Sequence, residues 1–299
     1  MKSLSVLIPT YNTVCVALVR SLHAQLSQAG DNTCDDFRYE IIVADDGSTN
    51  QSSIAENEVI NSISDCRYII RKENRGRSIT RNFLARQARY DYLLFIDSDM
   101  VVRNDNYIHN YLTASECDVI YGGYVINGIA AELENNLRYI YECKNKRNGN
   151  AAERNKHPYN DFHTSNFLVR RSLFLAYPLD ERFRKYGYED VLWGKTLKQN
   201  GIKIYHIDNA LSFEKFETND EFISKTEEGL RTLHSFKDEL KGYSNILSFA
   251  EKINNLHIGW LFRSLFGYSS RFLKQRLVNN KPSVFLFNIY KLGYFLNER

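Results

Sequence analysis

Two aspartates, Asp97 and Asp99, have the residue type and spacing of a metal-binding pair. In an extended segment both side chains point to the same side, with their backbone positions about 7 Å apart. Two ionised carboxylates at that separation repel by roughly 2 kcal/mol at an effective dielectric constant of about 20. A divalent cation such as Mg²⁺ or Mn²⁺ removes this cost and prefers oxygen ligands. The pair therefore predicts a metal site that could also neutralise a diphosphate, although by itself a solvated turn explains it equally well.

A second acidic cluster, Asp45-Asp46-Gly47-Ser48, follows another apolar run. A carboxylate at this place could accept hydrogen bonds from a base N–H or a ribose hydroxyl. A simple Asp-Gly turn is the alternative.

A basic cluster, Asn74-Arg75-Gly76-Arg77-Ser78, is followed by Arg81-Asn82. Backbone N–H groups at the start of a helix and nearby guanidinium groups are suited to binding a phosphate. The alternative is a capped helix with exposed arginines.

A third acidic pair, Glu189-Asp190, follows Gly187-Tyr188 at the start of a predicted helix. A carboxylate could act as the base that accepts a proton from a hydroxyl nucleophile. Two acids that favour a helix N-terminus electrostatically are the alternative. Trp193, on the same helix, is expected in the core.

The first half of the chain alternates strands and helices, which places these clusters. Apolar runs predict strands at 4–8, 39–44, 67–70 and 92–96, and helices are predicted at 12–29, 54–63 and 78–89. This alternation predicts a mostly parallel sheet covered by helices on both faces, an α/β fold. Because such sheets bind ligands beyond the carboxyl ends of their strands, the clusters at 9–12, 45–48 and 97–99 are expected to form one site.

The second half is less regular. We predict strands at 118–126, 166–169 and 201–207, helices at 131–146, 189–199 and 220–240, and a polar loop at 148–160.

Together, these clusters resemble the family 2 glycosyltransferases of the GT-A fold, over residues 4–240. The resemblance implies an inverting transferase of surface-polysaccharide assembly that uses Mn²⁺ or Mg²⁺, a nucleotide-sugar donor, most simply a UDP-sugar, and a glycan or lipid-linked acceptor. It implies Asp190 as the catalytic base and Asp99 with Asp97 as metal ligands. It implies that the donor is bound by Pro9, Thr10, Tyr11, Asp45, Asp46, Asn74, Gly76, Arg81, Asp97, Ser98 and Glu189.

One position departs from the family pattern. Many relatives place a histidine after the strand that follows the base helix, as a further metal or diphosphate ligand. This sequence has Phe213 there, and His206 would need a different register to replace it.

Charge is unevenly distributed along the chain. The net charge is +3, and residues 255–299 contain seven Lys/Arg against one acid, Glu298.

Basic and aromatic residues are interleaved from Trp260 onward, and helical spacing would place Phe262, Phe266 and Phe272 near one side. This pattern is suited to an anionic membrane surface, and an appendage packed on the catalytic domain is the alternative. Because the rest of the chain is not basic, nucleic acid is not an expected partner.

Composition and length complete the sequence-based expectations. The first apolar run is too short for a signal peptide, and no run reaches the roughly 18 apolar residues of a membrane span. We expect a cytoplasmic protein with reduced cysteines, peripheral on the inner membrane face if the tail binds lipid. The predicted domains are 1–240, catalytic, and 241–299, a helical extension.

Two other functions are compatible with the sequence. A sugar-nucleotide nucleotidyltransferase can share such a sheet, but it usually has a glycine-rich basic loop where this chain has Pro9-Thr10-Tyr11-Asn12. A non-catalytic nucleotide-sugar or glycan binder is the other alternative, because of Phe213.

Overall fold

The computed structural model describes residues 1–32, 37–114, 117–144, 150–279 and 281–298. Cys34, one of the predicted reduced thiols, lies outside them. The chain divides into two compact units. Unit 1 consists of Met1–Asn127, Arg147–Arg184 and Trp193–Glu214, and unit 2 consists of Gly128–Lys146, Lys185–Leu192 and Lys215–Arg299. The predicted domain boundary at residue 240 stays a prediction.

The strands of the described residues all belong to unit 1. In chain order they are β1 (Ser3–Thr10), β2 (Arg38–Asp45), β3 (Cys66–Ile70), β4 (Tyr92–Ile96), β5 (Met100–Val101), β6 (Val119–Tyr121), β7 (Tyr124–Ile126), β8 (Asn166–Arg170), β9 (Ile204–His206) and β10 (Leu211–Phe213).

The helices are divided between the two units. They are α1 (Val16–Asn32), α2 (Gln51–Glu58), α3 (Arg77–Gln87), α4 (Tyr107–Thr113), α5 (Ala130–Leu133), α6 (Leu137–Lys144), α7 (Ala151–Arg154), α8 (Arg171–Ala176), α9 (Glu189–Gln199), α10 (Asn219–Ser235), α11 (Asn245–Asn255), α12 (Gly259–Val278) and α13 (Val284–Asn297), with a short 3-10 helix at Val59–Ser62.

The main sheet has the order β3-β2-β1-β4-β8-β6-β9 in the described part of the chain. Strands β1 to β4 are parallel, and Leu7 is paired with Ile42 on one side and Phe95 on the other. Leu7, Ile42 and Phe95 are fully buried, as expected for a parallel sheet covered on both faces. β8 is antiparallel to both of its neighbours, so the sheet is mixed but mostly parallel. The predicted α/β class is confirmed.

The strand predicted at 118–126 is two strands in different sheets. β6 lies in the main sheet, whereas β7 lies in a small second sheet of order β5-β10-β7. The chain turns at Gly123, whose φ is +83°. A Cβ atom there would lie 2.8 Å from the guanidinium carbon of Arg154, so only glycine allows this approach. The prediction of one continuous strand was wrong because the turn depends on a contact with a residue 31 positions later.

Two other predicted segments are also divided differently. The helix predicted at 131–146 is interrupted at Asn136, whose side chain accepts a hydrogen bond from the Tyr139 N–H and donates one to the Glu217 carbonyl. Residues 145–149 lie outside the described residues. The polar loop predicted at 148–160 contains α7, which Asn150 caps by accepting a hydrogen bond from the Glu153 N–H.

Each unit has its own hydrophobic core. In unit 1, Trp193 is 2% exposed, packs against Phe162 and Phe167, and donates to the Tyr177 carbonyl at 2.7 Å, so its predicted place in the core is confirmed. In unit 2, the C-terminal helices form two clusters, one around Leu230 and Leu233 and one around Phe222, Phe287 and Tyr290. Within the described ranges, none of the helices is both long enough and apolar enough to span a bilayer.

Candidate active site

The turn after β1 is attached to the turn after β2. Asn12, with a φ of +51°, accepts hydrogen bonds from the N–H groups of Thr49 and Asn50 at 2.8 and 2.9 Å, and its own N–H donates to Ser48. α1 begins at Val16 rather than at the predicted residue 12, because Asn12 is used in this contact between the two turns. Thr10 is buried, and Tyr11 is 42% exposed at the edge of the site.

Asp45 is fully buried and holds the second turn in place. One carboxylate oxygen accepts the Ser48 N–H at 2.7 Å and the other accepts the Tyr68 hydroxyl at 2.5 Å. Burial, together with this hydrogen bond to Asp45, raises the pKa of Tyr68, which therefore stays a donor. The contacts of Asp45 are those of a residue that shapes the loop.

Asp46 connects the second turn to the basic loop that precedes α3. Its Oδ1 accepts hydrogen bonds from Arg71 at 2.8 Å and from the Arg75 N–H at 3.1 Å, and its Oδ2 accepts the Gly76 N–H at 2.8 Å. Gly76, with a φ of +96°, lies at the N-terminus of α3, while the side chain of Asn74 is exposed. The second and third sequence clusters are therefore one structural unit.

The Asp97-Ser98-Asp99 segment is a turn rather than an extended strand. The Met100 N–H donates to the Asp97 carbonyl at 3.2 Å, and Met100 then enters β5. The extended geometry predicted from the sequence is wrong because the chain must reverse to pair with β10. The Asp97 N–H donates to the Ser165 carbonyl at 3.1 Å, which fixes the start of the turn to the loop before β8.

Arg81 places a positive charge against this turn. Its guanidinium is 1% exposed and binds Asp97 at 2.5 Å, while the Asp97 side chain is 22% exposed. The basic helix α3 and the acidic turn are therefore joined by an ion pair.

Phe213 lies beside the acidic turn, as its register with Met100 in the antiparallel pair of β10 and β5 shows. Its ring is 6% exposed. The next residue, Glu214, forms a two-pronged ion pair with Arg103, with bonds of 2.7 and 2.6 Å. Across the described ranges, no group of three or more His, Cys, Asp or Glu side chains could hold a metal ion.

His206 has a structural place. It is 1% exposed, and its Nε2 lies 2.9 Å from the Pro158 carbonyl, which can only accept, so Nε2 carries the proton. Burial lowers the pKa of His206 to about 4. The ring is therefore a neutral core residue.

Glu189 and Asp190 belong to unit 2, at the start of α9. Asp190 Oδ1 accepts the Val191 N–H at 2.8 Å, and Glu189 is 5% exposed. The preceding loop has positive φ angles at Gly187 and Tyr188, and a Cβ atom on Gly187 would lie 3.6 Å from the Cα of Gly229 on α10. The same loop packs Tyr188 against the Leu230 cluster, so unit 2 fixes the backbone that presents Asp190.

The family of the chain follows from comparison with known proteins. The model of the family described as glycosyl transferase family 2 matches residues 5–177, more than half of the chain. The chain belongs to this family.

Among family 2 relatives, the poly(ribitol-phosphate) beta-N-acetylglucosaminyltransferase TarP of Staphylococcus aureus (strain N315) is 30% identical over 135 residues, 43% of this chain and 38% of TarP. The chain spans between 24% and 51% of the length of the curated relatives it matches.

Two solved structures show the fold. The crystal structure of S. aureus TarS 1–349 in complex with UDP-GlcNAc aligns with a TM-score of 0.51 at 16% identity, over 99% of this chain and 90% of that chain. The mannosyltransferase PcManGT from Pyrobaculum calidifontis, in complex with GDP-Man and Mn²⁺, aligns with a TM-score of 0.53 at 13% identity, over 98% of this chain and 84% of that chain. The fold of this family 2 chain is GT-A, as predicted, with a helical C-terminal region.

Two residues that contact the site were missed in the sequence. Arg71 binds Asp46, and Ser165 binds Asp97 through its carbonyl. Arg71 could have been found, because it directly follows β3, and β3 is parallel to β2, so their carboxyl ends are adjacent. Ser165 has no such signal, because the antiparallel pairing of β8 with β4 joins positions about 70 residues apart.

Proposed function

We propose that the chain transfers a sugar from a nucleoside-diphosphate sugar, UDP-linked, to a hydroxyl of a glycan or lipid-linked acceptor. The observation that carries the proposal is the convergence in unit 1 of three loops, after β1, β2 and β4, at the carboxyl edge of parallel strands. Family membership supports this reaction class. The name of TarP, a poly(ribitol-phosphate) beta-N-acetylglucosaminyltransferase, and the UDP-GlcNAc in the TarS complex support a UDP-linked N-acetylhexosamine donor and a polymeric acceptor.

The nucleotide would bind along the loop after β1, the loop after β2 and the loop before α3. Tyr11 is exposed enough to lie against the base, and Asp46 has a carboxylate that can accept a base N–H alongside its protein donors. The N-terminal N–H groups of α3 and the guanidinium of Arg81 are suited to the diphosphate. Pro9, Thr10, Asn74 and Ser98 would complete the donor site.

A divalent cation fits the acidic turn. Asp97 binds Arg81 through Oδ1 and keeps 22% of its side chain exposed, and Asp99 adds a second carboxylate on the same turn. Mg²⁺ and Mn²⁺ sites of this kind use one or two carboxylates, with substrate phosphates and waters as the other ligands. When bound, the cation would stabilise the negative charge on the leaving diphosphate.

Asp190 would act as the base. Its Oδ1 accepts the Val191 N–H at 2.8 Å, which orients the carboxylate, and the carboxylate would accept the proton of the acceptor hydroxyl. The acceptor oxygen forms a bond to the anomeric carbon as the bond to the diphosphate breaks, and UDP leaves with the electron pair. This single displacement inverts the anomeric carbon, with Glu189 beside the sugar or acceptor.

Phe213 favours a second candidate, a nucleotide-sugar-binding protein without transfer activity. Its ring adjoins the turn and offers no metal ligand, so metal affinity would depend on Asp97 and Asp99.

Donor hydrolysis and transfer, measured with a panel of UDP- and GDP-sugars with Mn²⁺ or Mg²⁺, test the proposal. We expect turnover of a UDP-sugar, its loss in Asp99→Asn, and no change in Asp105→Asn, an exposed aspartate used as a control. Asp190→Asn should retain donor binding but lose about 10²- to 10⁴-fold in rate. Donor binding without turnover would favour the second candidate, and no donor binding at all would refute both.

A further inference from the structure

Helix α12 of unit 2 is apolar on two opposite faces. Phe266 and Leu277 on one face are buried among the C-terminal helices. On the other face lie four residues that we call the outer stripe: Leu261, Leu265, Tyr268 and Phe272, with exposed fractions of 41, 59, 91 and 67%. Their spacing of four, three and four places them along one side of the helix. Phe266 and Phe272, predicted to lie near one side, are on different faces.

The outer stripe lies in the part of the chain where exposed apolar side chains are most frequent. Eleven of the eighteen exposed large hydrophobic side chains of the described residues lie between residues 249 and 289, including Phe249, Leu256, Trp260 and Phe285. Scattered exposed apolar residues are normal, whereas a row of four on one side of a single helix is typical of a binding surface.

The charges of α12 itself are all positive. α12 contains no acidic residue. Arg271 and Arg276 are exposed on either side of the outer stripe, and neither forms an ion pair with any other residue that the structure describes. Lys274, on another side of the helix, is bound to Glu227 at 3.0 Å.

We propose that the outer stripe docks on an anionic lipid bilayer. Aromatic and leucine side chains between exposed arginines are typical of helices that lie at a membrane surface, where anionic headgroups attract the arginines. A second copy of this chain fits less well. If two outer stripes packed against each other, Arg271 and Arg276 of both copies would come close together and repel, because α12 has no acidic residue to pair with them. The inference goes beyond the proposed reaction and would hold for either candidate function.

Vesicle cosedimentation of the full chain tests the proposal. The probes are phosphatidylcholine vesicles with and without phosphatidylglycerol. The stripe variant carries Leu265→Gln and Phe272→Gln, and the charge variant carries Arg271→Gln and Arg276→Gln. The control variant carries Ile129→Gln and Tyr205→Gln, because both side chains are exposed and lie outside residues 249–289. Thermal melting checks that each variant is folded.

We expect the wild type to bind only the anionic vesicles, and less at high salt. The stripe and charge variants should each bind at least about tenfold more weakly, and the control should bind as the wild type. Equal binding by the stripe variant and the control, or no binding by the wild type, would overturn the proposal. So would a dimer in sedimentation velocity that the stripe variant dissociates, because a second copy would then cover the stripe. Turnover of a UDP-sugar in solution reports on the proposed function separately.

Discussion

Arg81 shows how one buried side chain can serve two parts of the candidate site. The sequence predicts it near the diphosphate, and the structure pairs it with Asp97 at 2.5 Å. A guanidinium has five N–H donors, so it can hold the carboxylate and still contribute to phosphate binding. Asp97 and Arg81 therefore set each other's position before any ligand binds.

Replacing Arg81 with methionine should destabilise the fold by about 2 to 4 kcal/mol, because it leaves the Asp97 carboxylate without its cation. Arg86→Met is the matched control, since Arg86 lies on the same helix with 53% of its side chain exposed and should change stability by less than about 0.5 kcal/mol. Urea denaturation measures the free energy of unfolding of both variants. Equal losses in the two variants would show that the Arg81 ion pair does not stabilise the fold. Donor affinity, measured where the variant is folded, should fall only for Arg81→Met.

At the scale of elements, the site depends on loops that approach each other at the backbone. Gly47 has a φ of +72°, and a Cβ atom there would lie 2.4 Å from the carbonyl carbon of Glu73. The turn after β2 thus touches the loop before α3 with no room for a side chain. Asp46 adds three hydrogen bonds across the same contact.

Gly47→Ala should therefore lower the free energy of unfolding by about 2 kcal/mol or more. Both the left-handed backbone and the clash of the added Cβ with backbone atoms contribute to this loss. Gly30→Ala is the control, because nothing lies within 4 Å of the added Cβ, and it should change stability by less than about 1 kcal/mol. Thermal unfolding and donor binding are the measurements. If Gly47→Ala had the same melting temperature and donor affinity as Gly30→Ala, the close contact between Gly47 and Glu73 would not be what holds the two loops together.

At the scale of the whole molecule, the C-terminal helices complete the core of unit 2. Glu227 on α10 accepts hydrogen bonds from Lys274 on α12 at 3.0 Å and from Tyr290 on α13 at 2.6 Å. Phe222 on α10 packs on Phe287 with ring centroids 5.2 Å apart. The basic, aromatic end of the chain is thus packed on the helix that also supports the Gly187 loop.

Phe287→Ala should destabilise the protein by about 3 to 5 kcal/mol, because it opens a cavity around a ring that is 1% exposed. Phe285→Ala, two residues away and 71% exposed, should change stability by less than about 0.5 kcal/mol. Chemical denaturation of both variants gives the comparison. A small effect of Phe287→Ala would mean that α13 is not part of the cooperative core.

The sequence by itself determined the strands that carry the site and the polar residues at their ends. β4 has the predicted bounds, and β1 to β3 differ from theirs by only a few residues, because a run of apolar residues closed by a polar turn is a local signal. The same runs predicted the parallel sheet, and five motifs in order predicted the family.

Only the tertiary structure decided which of these residues are partners. The reversal at Asp97 exists because Met100 pairs with Phe213, more than a hundred positions away, and the break at Gly123 exists because Arg154 lies against it. Likewise, Phe266 and Phe272 have the same residue type, but only one faces α13. These pairings and the burial of one phenylalanine but not the other depend on contacts between residues distant in the sequence. Residue type and local spacing give no information about such contacts.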